Sequence, residues 1–87
     1  MSKFTFSENA WEEYLYWQTY DKKVLRKINA LLKTIQRTPF VGEGKPEPLK
    51  GVPNIWSRRI NNKDRLVYAI EGDNVYILQC KGHYQDK

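Results

Sequence analysis

Glu47 stands between two prolines, in the run Lys45-Pro46-Glu47-Pro48. Proline fixes its own φ and restricts the residue before it, so this carboxylate has little backbone freedom. That suits a group that must point at one atom. The only histidine is His83, and histidine is the side chain that carries a usable protonated fraction near neutrality. Arg59 and Arg65 add guanidinium groups, which meet phosphate oxygens in a bidentate fashion. A base, an acid and cations of this kind are what metal-independent cleavage of RNA requires. In that reaction the 2′-hydroxyl attacks the neighbouring phosphate and the 5′-oxygen leaves with a proton. Each residue also has a plainer reading. A histidine near the C-terminus can be a solvated tail residue, and strand arginines can be ordinary surface charges.

What would gather these residues is strand alternation, since successive side chains point to opposite faces. The last third of the chain predicts strands at about 55–60, 65–70 and 74–82, with turns at Asn61-Asn62-Lys63-Asp64 and Glu71-Gly72-Asp73. Two such close turns imply an antiparallel meander. One parity collects Trp56, Ile60, Leu66, Tyr68, Ile70, Tyr76, Leu78 and Cys80, a core face with only Arg58 out of place. The other collects Ser57, Arg59, Arg65, Gln79, Lys81 and His83, with Val67, Ala69, Val75 and Ile77 at its far end. Every formal charge on that second face is positive. A polar outer face is also what an open antiparallel sheet shows to water.

The elements before the meander must cover the core face. Lys3-Phe4-Thr5-Phe6 is a short β-type stretch, and Ser7 offers a hydroxyl to cap a helix over about 8–20. Glu8, Glu12 and Glu13 suit the positive end of that helix's dipole. Its Trp11, Tyr14, Leu15 and Gln18 recur at helical spacing, so Trp11 and Tyr14 are expected to face the core. Tyr16 and Trp17 are expected to leave aromatic surface. Asp21 caps a second helix with Leu25, Ile28, Leu32 and Ile35 in one apolar stripe, flanked by Val24 and Leu31. Thr38-Pro39 stops it. Residues 39–53 then hold all four prolines and three of the five glycines. This stiff connector feeds the first strand of the meander, so Glu47 can reach over the basic face.

Composition narrows the partners. The chain of 87 residues has room for one domain, 1–87, around one core. Fifteen Lys and Arg against ten Asp and Glu give a net charge of +5, which favours an acidic partner such as nucleic acid. The single cysteine, Cys80, sits in an apolar run and is expected to be an inert buried thiol. One Cys and one His do not make a zinc site of the common type, and no cofactor is expected. No apolar stretch approaches a membrane span of roughly 20 residues. The N-terminal MSKFTF does not have the form of a signal peptide, so a cytoplasmic location is expected.

The chain resembles the YoeB toxins of the RelE-like family over nearly its whole length. The likeness rests on Tyr14-Leu15-Tyr16-Trp17-Gln18, Arg37-Thr38-Pro39-Phe40 and Gly42-Glu43-Gly44-Lys45-Pro46-Glu47-Pro48-Leu49-Lys50. It continues with Trp56-Ser57-Arg58-Arg59-Ile60, Arg65-Leu66-Val67-Tyr68 and His83-Tyr84. The resemblance implies an α+β fold, a compact antiparallel-dominated sheet of four or five strands with two N-terminal helices on one face. It implies a toxin that cuts mRNA in the A site of the 70S ribosome and inhibits translation. Glu47 would be the general base, Arg65 the transition-state cation and His83 the acid, supported by Lys50, Arg59 and Tyr84. The implied partners are a YefM-type antitoxin and a second copy of the chain, with operator DNA reached only through the antitoxin.

Two features depart from the family pattern. The chain continues past Tyr84 with Gln85-Asp86-Lys87, and Gly82 precedes His83 where an aromatic often stands. A glycine there is expected to loosen the strand end and aim His83 less firmly. Two other functions compete with cleavage: a non-catalytic RNA- or ribosome-binding module, and an interaction protein that acts by binding an antitoxin and operator DNA.

Overall fold

A computed structural model describes residues 3–83. In chain order the elements are β1 (Lys3–Phe6), α1 (Glu8–Tyr20), α2 (Lys22–Arg37), β2 (Glu47–Pro48), β3 (Ile55–Arg59), β4 (Arg65–Glu71) and β5 (Asn74–Gln79). They form one five-stranded sheet in the order β1-β5-β4-β3-β2. Three of its pairings are antiparallel, and β1 runs parallel to β5. The α+β class with two helices on one face is therefore what the chain adopts.

Both helices begin where their caps are. The Ser7 hydroxyl accepts from the Ala10 N–H, and an Asp21 carboxylate oxygen accepts from the N–H groups of Lys23 and Val24. On α2, Ile28, Leu31 and Ile35 are buried, and Val24, Leu25 and Leu32 pack at the margin. They meet Leu66, Tyr68, Val75 and Ile77 of the sheet. The Tyr14 hydroxyl ties α1 to α2 by donating to Asn29 Oδ1 at 2.7 Å.

On α1 the expected roles of two tryptophans are exchanged. Trp17 is buried and donates its indole N–H to the Cys80 carbonyl, whereas Trp11 is about half exposed and stacks on Tyr14. Spacing showed that the helix had an apolar side but not which of several adjacent aromatics faced the sheet. Glu13, too, does more than favour the dipole: its Oε1 accepts from the Cys80 N–H at 2.8 Å.

The meander departs from simple alternation at one place. Val67 pairs with Gln79, but Tyr68 pairs with Ile77, so Leu78 is an extra residue in β5. A bulge of this kind reverses which side chains face inward. Hence Val75 and Ile77 lie in the core, beside Phe4 and Phe6 of the parallel strand, while Tyr76 and Leu78 are only partly buried. The expected core parity for Tyr76 and Leu78 is wrong for that reason. Cys80 regains the inward direction after the bulge and is fully buried.

Candidate active site

The residue that broke the core pattern organises the connector. Arg58 is fully buried on β3, with no carboxylate against it among the described residues. Its Nε donates to the Tyr68 hydroxyl at 2.9 Å, Nη1 to the Glu43 carbonyl, and Nη2 to the carbonyls of Thr38 and Val41. Tyr68 passes the chain on, donating to the Pro39 carbonyl at 2.9 Å. A buried guanidinium is tolerable only when its N–H groups find acceptors, and here three of the four acceptors are carbonyls of Thr38, Val41 and Glu43, where the chain leaves α2 and enters the connector. The connector is thus fastened over the sheet edge. Gly44 completes the fastening: its carbonyl accepts from the Arg59 N–H at 2.6 Å. Its φ is +85°, and a Cβ there would lie 2.9 Å from Leu31.

From this anchor the chain enters β2, a strand of two residues that is too short to leave an alternation pattern. Glu47 is directly opposite Ser57, Ser57 opposite Val67, and Val67 opposite Gln79. One row of the sheet therefore runs from the carboxylate across all three antiparallel ladders. In the next row Arg59 faces Arg65. The Arg65 side chain reaches diagonally back. Its Nη2 donates to Glu47 Oε1 at 3.2 Å, and Nε and Nη2 both donate to the Ser57 hydroxyl at 3.1 and 2.8 Å. Ser57 is buried, Arg65 half-buried, and Glu47 and Arg59 exposed.

The structure thus joins Glu47, Arg65 and Arg59 at one end of one sheet face. Lys50 is not brought there. It lies three residues along the edge, in the direction away from Arg59 and Arg65, in the turn beyond the Leu49 N–H to Ile55 carbonyl bond. Tyr84 lies outside the described residues.

His83 arrives by a route that strand parity did not foresee, because β5 ends at Gln79. Lys81 has turned to the helix side, its ammonium 4.7 Å from the centre of the Tyr16 ring. Gly82 adopts φ +85°, a conformation that a side chain disfavours, and both of its backbone groups are bonded. Its N–H donates to Asp64 Oδ1 at 2.8 Å, while its carbonyl accepts from the Arg65 N–H and from Gln79 Nε2, each at 3.0 Å. The expectation that Gly82 loosens this end is therefore overturned. Three bonds fix it, and glycine is there because the turn needs positive φ. His83 is exposed next to it, adjacent to the backbone of Arg65, and among the described residues its ring bonds to neither Glu47 nor Arg65.

Sequence reasoning left several of these roles unassigned. Ser57 was placed on the correct face without a task. Asp64 and Glu13, which brace residues 80–82, gave no pattern, since each acts through a backbone N–H far away in sequence. Cys80 has no such site role. Burial, aided by the charges of Glu13 and Asp64, pushes its thiol up to about 12. Among the described residues, no group of three His, Cys, Asp or Glu could hold a metal ion, and no helix is long and apolar enough to cross a membrane.

The arrangement defines a class: a helix-covered, mostly antiparallel sheet whose open face carries paired arginines and a carboxylate on a fastened connector. Comparison with known proteins is consistent with this. Residues 6–84 match the family model of the YoeB-like toxin of bacterial type II toxin–antitoxin systems. Toxin YoeB of Escherichia coli K12 is 52% identical over 83 residues, covering 94% of this chain and 99% of the relative. Among solved structures, the YoeB dimer from Staphylococcus aureus superposes with a TM-score of 0.90 at 47% identity, covering 95% and 98% of the two chains. The toxin chain of the heterotetrameric YoeB–YefM toxin–antitoxin complex from the same organism gives 0.88 at 46%, covering 97% and 99%. The chain belongs to the YoeB-like toxin family.

Proposed function

We propose that the chain is a ribosome-dependent mRNA endoribonuclease that cuts mRNA in the ribosomal A site and so inhibits translation. Glu47 takes the proton of the 2′-hydroxyl, Arg65 holds the charge that develops on phosphorus, and His83 protonates the departing 5′-oxygen. Arg59 adds a second guanidinium, with Lys50 and Tyr84 as outer contacts to the RNA. The reading is carried by one observation, the Glu47–Arg65–Ser57 cluster beside Arg59, which has no carboxylate partner among the described residues.

Its geometry favours displacement in line. The attacking and leaving oxygens must stand on opposite sides of phosphorus. Across the sheet the order is Glu47 on β2, then β3, then Arg65 on β4, then the Gly82-His83 segment. A phosphodiester seated on Arg65 would then lie between the Glu47 strand on one side and the segment that bears His83 on the other. Ser57 holds Arg65 through two bonds, so Glu47 can turn towards the ribose without releasing the guanidinium.

The partners follow the family. The S. aureus relatives occur as a YoeB dimer and in complex with YefM, and this chain is proposed to form a homodimer, to be neutralised by a YefM-type antitoxin and to meet operator DNA only through it. Mapping mRNA ends after expression tests the activity. The parent is expected to arrest growth with cuts inside translated codons, ending in a 2′,3′-cyclic phosphate or its 3′-phosphate product. A Glu47→Ala variant that produced the same cuts would contradict the proposal.

A further inference from the structure

On the side of His83 away from Glu47 lies a groove of about 580 Å3 that the chemistry above does not use. That volume is within the roughly 300–1,000 Å3 of small-ligand sites. One wall is the end of α1, with Tyr16 and Tyr20. The other is built from the 61–64 turn, bearing Lys63, and from residues 81–83. Tyr20 is 72% exposed, an unusual position for so large a ring, and its centroid is 4.8 Å from that of Tyr16. Trp17 lies beneath with its indole N–H already bonded.

The polar groups of the groove divide sharply. One oxygen of each of its three carboxylates is engaged by backbone N–H groups, Glu13 Oε1 by Cys80, Asp21 Oδ1 by Lys23 and Val24, and Asp64 Oδ1 by Gly82, while Asp64 Oδ2 is buried without a partner among the described residues. The amines of Lys63 and Lys81 are exposed on the rim, Lys81 over the face of Tyr16. Flat, exposed rings flanked by amines fit a ligand with a π-face and an anionic backbone, which is a single-stranded nucleotide.

Direction follows from the proposed reaction, on which this inference rests. His83 protonates the 5′-oxygen of the departing product, so the nucleotide nearest His83 on its outer side is the one 3′ of the cut. We infer that the groove between α1 and residues 61–64 and 81–83 receives the RNA nucleotide immediately 3′ of the scissile phosphate. Its base packs on Tyr20, and the phosphate on its 3′ side lies at Lys63 and Lys81, the scissile phosphate remaining on Arg65.

Photo-crosslinking on programmed ribosomes tests this independently of cleavage. The mRNA carries a 2′-deoxyribose at the cut, which removes the nucleophile, and 4-thiouridine either one position 3′ or one position 5′ of it. The 3′ probe is expected to label peptides containing Tyr16–Tyr20 or residues 61–64, with yield reduced fivefold or more by Tyr20→Ala and by Lys63→Ala. The 5′ probe is expected to leave them unlabelled. Labelling by the 3′ probe of the 38–53 connector, labelling nowhere, or a yield unchanged in both variants would overturn the inference. So would loss of self-association in Tyr20→Ala with RNA labelling intact, since the surface would then belong to a second copy. Failure of the cleavage chemistry itself would show separately, as parent-like cutting by Glu47→Ala.

Discussion

Arg59 and Arg65 stand directly opposite one another across the β3–β4 ladder, and among the described residues only Arg65 of the two has a carboxylate against it, that of Glu47 at 3.2 Å. Like charges in such a position repel, typically by a few tenths of a kcal/mol. The pair makes an anion-seeking spot on an otherwise ordinary sheet face. Arg59→Gln is therefore expected to raise unfolding free energy by about 0.5 kcal/mol while lowering mRNA cutting roughly tenfold. Urea denaturation and a cleavage assay on the same preparation check both. A variant that loses stability and retains full cutting would show that Arg59 is only structural.

Arg58 gives a prediction of the opposite kind. Its guanidinium satisfies the carbonyls of Thr38, Val41 and Glu43 and the Tyr68 hydroxyl at once. Replacement by alanine leaves buried acceptors unmet, at about 3 kcal/mol or more in total. Arg58→Lys keeps the charge but not the planar fork, so it should lose much of the same stability. Urea unfolding of both variants measures this. A loss under about 1 kcal/mol in Arg58→Ala would mean that the connector is held by something else.

Alkali should weaken the fold through two buried groups. Burial pushes the Cys80 thiol up to about 12, reinforced by Glu13 and Asp64. Burial also raises the Tyr68 phenol, partly offset by its bond to Arg58 and by that residue's charge. In the unfolded chain both lose their protons first, so the unfolded state binds fewer protons as pH rises. Their stabilising effect is complete below about pH 9 and disappears as pH climbs towards 12. Denaturant unfolding at pH 7, 9 and 10.5 should show a falling midpoint. The native thiol should resist a disulfide reagent at pH 8. A flat profile, or thiol labelling as fast as in free cysteine, would contradict the burial argument.

Local patterns made both helices legible, because caps and a 3.6-residue stripe act within one segment. The strands near 3–6, 55–60 and 65–70 were legible as well, whereas β2 falls within the expected connector and β5 stops at Gln79, short of the expected 82. What alternation could not reveal was the bulge at Leu78, since an extra residue becomes visible only when the partner strand is aligned. It misassigned Tyr76, Val75, Ile77 and Leu78 together. Arg58 was visible as an exception, but its purpose required four acceptors, three of them on a segment 15–20 residues away. The candidate site divides the same way. Glu47 and Arg65 meet as residue type and strand parity suggested, whereas His83 is delivered by a turn whose supports, Asp64 and Gln79, had no signature of their own.

Single-turnover cutting of mRNA on programmed ribosomes, by the parent, Glu47→Ala and His83→Gln, tests the assigned base and acid most directly. Each substitution should slow the chemical step by roughly 10²-fold or more, with ribosome affinity nearly unchanged. If both variants cut within a few-fold of the parent, the carboxylate and the imidazole are not the proton carriers.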